Sequence, residues 1–356
     1  MSIKKLSFVD NKSINAVAIG GAVLGSGGGG DPYVGKLMAQ QSIEETGGVE
    51  VIDIESLPDD ALILPIAMMG APTVMVEKFP SGNEFAQLIP MIEKMLTKPV
   101  AAILCIEAGG LNSTIPFSAA SKLGLPIIDG DAMGRAFPEL QMVTFTLGGI
   151  SATPMAMVDE KGNGCNYETI SNEWTEKLAR AITIEMGGAA MCSLYPVSAK
   201  DCKKYLIKGS LSLIHHIGSI IETHSFNAYQ ILVEELNGVH LFQGRVRDVE
   251  RFSEGGFNRG IVKLEGLGDF LSRDVKVDFQ NEFLVAMEGD KVLATTPDLI
   301  CMFDSNTGAP VTAETIKYGL VVNVLGLPCD PIWRSKEALE MVGPRYFKYD
   351  IDYKPL

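Results

Sequence analysis

The run Ala101-Ala-Ile-Leu-Cys-Ile-Glu107 constrains the fold most strongly, because it is apolar without a break for six residues and then ends in a carboxylate. A strand with water on one face alternates apolar and polar side chains, and a strand covered on both faces does not. The run therefore reads as a strand over 99–106, buried between layers of helix. Comparable runs at 49–54, 61–68 and 126–128 alternate with helical stretches at 83–96 and 114–123, and further strands are expected at 142–147 and 155–158. Strand–helix alternation with near-continuous apolar strands specifies an α/β N-terminal domain with a largely parallel sheet.

A chain of 356 residues exceeds what one core usually serves, and 46% apolar residues can fill two. The expected division is 1–165 and 166–356, with Gly162-Asn-Gly164 as a hairpin turn near the boundary. Helices are expected over 171–186, 198–206, 210–222 and 227–236. From His240 to Pro328 short strands are punctuated by Gly255-Gly256, Glu288-Gly-Asp290 and Ser305-Asn-Thr-Gly308. This pattern specifies a C-terminal α+β domain with a β-rich sandwich or barrel-like part.

The formal charge of −14, with no dense Lys/Arg cluster, disfavours nucleic acid and anionic membrane surfaces as partners. The N-terminus lacks a signal-peptide core and no apolar run is long enough to span a bilayer, so a cytoplasmic location is expected. The six scattered cysteines read as reduced, buried thiols.

Near the N-terminus, Ser13 is placed to cap a helix over 14–24, and Asp31 with Pro32 to start another over 32–46. Between them lies Gly25-Ser-Gly-Gly-Gly-Gly-Asp-Pro32. Its G-x-G-x-x-G letters lack a preceding strand, which weakens a dinucleotide reading and leaves a nucleotide-binding enzyme as a minor alternative. Gly27, Gly28, Gly29, Gly30 and Asp31 remain candidates for binding an anionic or carbonyl oxygen; a tight crossing between helices fits them equally well.

Acids gather at the expected carboxyl ends of the strands, where α/β folds bind ligands. Glu77, in Met69-Gly-Ala-Pro-Thr-Val-Met-Val-Glu-Lys78, follows one such strand. Glu107 and Asn112 follow the next, with Asn112 or Ser113 also able to cap a helix. Asp129 and Asp131, in Pro126-Ile-Ile-Asp-Gly-Asp131, end the third and could share a proton or bind a cation. Arg135 and Glu139 stand four apart, as a helical ion pair would. The candidate catalytic residues are Glu107, Asp129, Asp131 and Arg135, with a carboxylate as general base. Glu77, Asn112, Glu139 and the glycine loop are the candidate substrate contacts. Cys105 is a lesser candidate as nucleophile. His215, His216 and His224 lie in or near one helix and could join acids around a metal, although a packed or interdomain role suits them better. A divalent metal is thus a cofactor candidate.

These motifs, with Ala294-Thr-Thr-Pro-Asp-Leu-Ile300, Tyr318-Gly-Leu and Gly343-Pro-Arg-Tyr-Phe-Lys-Tyr-Asp350, resemble the S-methyl thiohydantoin desulfurase-like family along nearly the whole chain. The resemblance implies two domains and a link to hydantoin-type ring metabolism. Its expected substrate is a cyclic amide or thioamide, such as a hydantoin or S-methyl thiohydantoin, with hydrolytic removal of a sulfur substituent. The alternative is a non-catalytic or regulatory partner of a hydantoinase/oxoprolinase-type protein. A homo-oligomer is also expected.

Overall fold

The computed structural model describes residues 3–70, 74, 80, 82–254 and 257–356. A short edge strand, β1 (Phe8–Val9), pairs antiparallel with β2 (Val49–Ile52). Next come β3 (Leu62–Gly70), β4 (Val100–Cys105) and β5 (Ile127–Ile128). Strands β2, β5, β4 and β3 lie side by side in that order, all parallel. Helices Glu84–Leu96 and Ile115–Leu123 make the crossovers. Ile63, Leu64, Ile66, Ala102, Ile103, Leu104 and Cys105 are all fully buried, which is why those runs show no alternation.

The sheet does not stop at residue 165. β6 (Gly130–Asp131) leaves it, but β7 (Met155–Val158) and β8 (Gly164–Tyr167) are joined by β9 (Ala189–Ser193), which pairs antiparallel with β3, and by β10 (Val197–Ser198). Among the described residues this makes a nine-stranded mixed sheet with a parallel centre. β6 instead pairs with β11 (Ile207–Lys208).

Helix Ser13–Leu24 packs against helix Ser210–His224. Ser13 is the first residue of that first helix and not its cap. The Asp10 carboxylate accepts from the Ser13 and Lys12 backbone N–H groups, and the Ser13 hydroxyl accepts from Asp10 N–H in return. Asp31 caps helix Pro32–Thr46 by accepting from Tyr33 N–H at 2.9 Å, with Pro32 in the first turn. The expected strand at 142–147 is a helical turn, Thr144–Leu147, closed by Gly148 N–H on the Thr144 carbonyl. Met142, Val143 and Phe145 are buried all round, and such a short apolar run carries no periodicity to separate strand from helix.

The C-terminal sheet has eight antiparallel strands among the described residues: β12 (Val239–Glu254), β13 (Phe257–Gly266), β14 (Asp274–Gln280), β15 (Glu282–Glu288), β16 (Lys291–Thr295), β17 (Leu299–Asp304), β18 (Pro310–Val311) and β19 (Val321–Leu327). Their order is β16-β15-β14-β13-β12-β19-β17-β18, and β15 and β16 come back against β17, so the sheet curls on itself. Phe242, Val246, Val262, Val277, Phe283, Val322 and Val324 fill its interior. The first strand of the sheet is much longer than the short strands expected, because β12 runs on past bulges instead of stopping at a turn. Among the described residues no helix is long and apolar enough to cross a membrane.

Candidate functional site

The parallel strands β3 and β4 end at the same edge, and a cavity of about 720 Å³ opens there against the C-terminal sheet. One wall carries Ala67–Gly70 from the end of β3, then Ile106, Glu107 and Asn112 beyond β4, with Gly29 and Gly30 of the glycine loop. The C-terminal domain contributes Arg251, Phe257, Asn281, Glu282 and Glu314 to the lining.

Glu107 is buried at 7% exposure, and its Oε1 accepts from Asn112 Nδ2–H at 2.7 Å. The same Asn112 amide accepts from Met68 N–H through Oδ1 at 2.7 Å and donates to the Met68 carbonyl. Asn112 thus locks the end of β3 to the Glu107 carboxylate and fixes its position. Burial holds the Glu107 carboxyl well above the ordinary carboxylate range; the Asn112 hydrogen bond opposes this, and the charges of Glu282 and Asp131 reinforce it. Cys105 is fully buried, and desolvation foremost, then the neighbouring carboxylates, push its thiol far up, away from the reactive thiolate form.

Asp129 and Asp131 are both engaged by helix Ser210–His224. The chain leaves the parallel sheet after β5, and the two acids meet that helix at its first turn. Asp129 accepts from Ser212 N–H at 3.0 Å and from the Ser212 hydroxyl at 2.6 Å. Asp131 Oδ2 accepts from the N–H groups of Ala108, Met133 and Gly134, while Oδ1 accepts from the Ser210 hydroxyl. Burial pushes the Asp131 carboxyl up to about 6, against those four donors, so it stays ionised at neutral pH. Neither acid lines the main cavity; Asp129 borders a second one of about 590 Å³. Asp131→Asn would keep an oxygen for the three N–H groups and a donor near Ser210. Its expected cost is about 1–2 kcal/mol in urea unfolding, with turnover close to wild type. A loss of turnover without a loss of stability would restore Asp131 to the chemistry.

The Arg135–Glu139 pair expected from helical spacing does not form, because residues 132–141 are not helical. Arg135 is fully buried and donates to the carbonyls of Ala136, Pro297 and Asp298, with its guanidinium 4.7 Å from the Phe137 ring centre. It does not line the cavity. Glu139 does, accepting from Tyr346 Oη–H at 2.7 Å and from Gln141. The same segment is pinned by Trp333, whose Nε1–H donates to the Met133 carbonyl, and by Arg180, which bridges Glu176 and the Pro138 carbonyl.

The glycine loop has a different duty from the one its letters suggest. A Cβ on Gly27 would lie 2.5 Å from the Phe283 ring, and one on Gly28 would lie 2.2 Å from Glu282 Oε1. Phe283 N–H donates to the Ser26 carbonyl, and Ala313 N–H to that of Gly27. Gly27 and Gly28 therefore seat the C-terminal domain, and Gly29 and Gly30 alone of the loop face the cavity. Asp31 is exposed and serves as a helix cap. Glu77 lies outside the described residues.

Two cavity carboxyls come from the last third, which the motif reading passed over. Glu282 is buried at 2% exposure; desolvation pushes its carboxyl up to about 8, against the favourable charge of Arg135. Glu314 is likewise raised by burial. A signal for Glu282 was present: Glu282-Phe-Leu-Val-Ala-Met287 is an apolar run that opens with an acid, the reverse of the run ending at Glu107. Among the described residues no group of three or more His, Cys, Asp or Glu side chains is arranged to hold a metal ion. None of the four histidines lines the cavity, and His216 pairs with Glu235 at 2.6 Å.

Fold and site together define a two-domain protein with a carboxyl-rich cleft between a mixed α/β sheet with a parallel centre and a curled antiparallel one. The chain belongs to the S-Me-THD-like family: the family's N-terminal domain matches residues 12–169 and its C-terminal domain matches residues 170–356. A crystal structure of a protein from Chromobacterium violaceum has the same fold, with a TM-score of 0.85 and 23% sequence identity over 99% of this chain and 100% of that one. No curated protein matches the chain.

Proposed function

We propose that the protein is an enzyme of cyclic amide and thioamide metabolism that hydrolytically removes the sulfur substituent of an S-methyl thiohydantoin or a related five-membered ring. Membership of the S-Me-THD-like family supports the ring class. The observation that carries the chemistry is Glu107: a buried carboxyl of raised proton affinity, held by Asn112 at the end of a parallel strand and facing the cleft. Such a group is suited to take a proton from water as the water oxygen attacks the ring carbon bearing sulfur. Gly29 and Gly30 from the N-terminal domain, and Phe257 from the C-terminal one, offer a flat, partly apolar space for a ring.

Arginine does not mark the cleft for an anionic ligand. Arg180 is committed to Glu176 and the Pro138 carbonyl, and Arg251 to the carbonyls of Ala313 and Ile316. A neutral ring, which needs no cationic partner, matches this lining better. The test is a panel of S-methyl thiohydantoins, thiohydantoins and hydantoins given to the purified protein. Loss of ring ultraviolet absorbance with release of a thiol is expected for the S-methyl compounds. No change with any member of the panel removes the proposal.

A further inference from the structure

Glu282 stands at the head of β15, directly after the turn at Asn281, whose φ of 59° is in the left-handed region. The Glu282 carboxyl lines the same cavity as Glu107. Its Oε1 packs on Gly28, where any side chain would displace it, and the Gly29 backbone hydrogen-bonds to the carboxyl. Its Oε2 is buried and has no hydrogen-bond partner among the described residues. Native proteins rarely leave a buried carboxyl oxygen unsatisfied, and an orphan lining a cavity points to a ligand atom that completes it.

We infer that Glu282 is the second catalytic carboxyl of the cleft, the general acid that protonates the departing sulfur. The inference rests on the ring hydrolysis proposed above. Glu107 and Glu282 line the cavity from different domains, and the charge of Glu282 is one of the causes that raise proton affinity at Glu107. The other charged groups around Glu282 are Arg135, which favours its ionised form, and Glu314, which opposes it. Burial outweighs the arginine, so Glu282 carries its proton at neutral pH.

The roles divide as follows. The water oxygen bonds to the ring carbon, Glu107 takes one water proton, and the electron pair of the ring C=N bond moves to nitrogen. That nitrogen then receives the proton held by Glu107. The C–S bond breaks with its electron pair on sulfur, which takes the Glu282 proton, and the remaining hydroxyl proton of the intermediate restores Glu282 as the carbonyl forms. The sum is one water consumed, one ring amide formed and one methanethiol released, with no redox change.

The test compares two leaving groups in wild type and in Glu282→Gln. For the methylthio compound, whose thiolate is a poor leaving group, kcat/KM should fall roughly 100-fold; for a 4-nitrophenylthio compound, which leaves without a proton, it should stay within about fivefold. Glu107→Gln should suffer with both. Equal losses for the two leaving groups, or no loss for either, would overturn the acid role. If wild type turns over neither compound, the ring proposal fails and Glu282 is still open to measurement. The infrared difference between wild type and Glu282→Gln at neutral pH should show a protonated-carboxyl band, and its absence sinks the inference whatever the substrate.

Discussion

Gly20→Ala is expected to lower the free energy of unfolding by about 3 kcal/mol or more, read as a large drop in the urea midpoint at unchanged slope. A Cβ on Gly20 would sit 1.8 Å from the Ile214 carbonyl oxygen and 2.6 Å from its carbon. The contact is reciprocal, since a Cβ on Gly218 would sit 1.8 Å from the Ala16 carbonyl oxygen. Helices Ser13–Leu24 and Ser210–His224 thus meet backbone to backbone, and a carbonyl in a helix cannot swing aside as a side-chain tip can. Relief requires the helices to separate, which would open gaps around Ile14, Val17, Ile214, Ile217 and Ile221, all buried there. Alanine's better helix propensity returns only about 1 kcal/mol. Gly289→Ala is the control: its φ is +56° but nothing lies within 4 Å, so a cost of only about 1–2 kcal/mol is expected from backbone strain. A Gly20→Ala protein as stable as wild type would mean that the crossing is not held by close approach.

That crossing also limits what the sequence could reveal. A tight approach of helices was one reading of the glycines, and it does occur, but at Gly20 and Gly218 inside the helices and not in the loop that follows. The loop glycines that are crowded, Gly27 and Gly28, are crowded by Phe283 and Glu282, which lie hundreds of positions later in the chain. No local pattern can announce such a partner. Apolar periodicity, by contrast, depends on which faces of an element are covered, so the parallel strands and the exit of Glu107 and Asn112 from β4 were legible from residue order alone. Asp129 and Asp131 were legible as two acids where the chain leaves β5. Their engagement by Ser210 and Ser212 was not, because hydrogen-bond donors at a remote helix start leave no trace in the segment they satisfy. The Arg135–Glu139 ion pair failed for a related reason. Their spacing is informative only on a helix, and the segment is held open by Trp333, Tyr346 and Arg180.

Glu107→Gln should separate stability from activity most sharply. The amide oxygen of glutamine can accept the Asn112 Nδ2–H bond that Glu107 Oε1 accepts now, so the geometry at Met68 and Asn112 is preserved. The variant has no basic carboxylate, and kcat/KM for the methylthio compound should fall about 1,000-fold with KM little changed. Water activation needs Glu107 without its proton, so the wild-type rate should rise with pH over a range displaced upward from that of an ordinary carboxylate, and the variant should lack that rising limb. Stability should move the opposite way. The folded protein binds the Glu107 proton more tightly than the unfolded chain, where a Glu titrates near about 4.3. The stabilisation linked to that proton is complete below the unfolded value and is lost as pH rises towards the raised folded value. Glutamine carries no such proton, so the variant should gain on wild type in urea unfolding as pH increases across that window. A wild-type rate combined with an unchanged pH dependence of stability would show that Glu107 neither handles the proton nor is strained by burial, and the carboxyl that activates water would have to be sought elsewhere in the cleft.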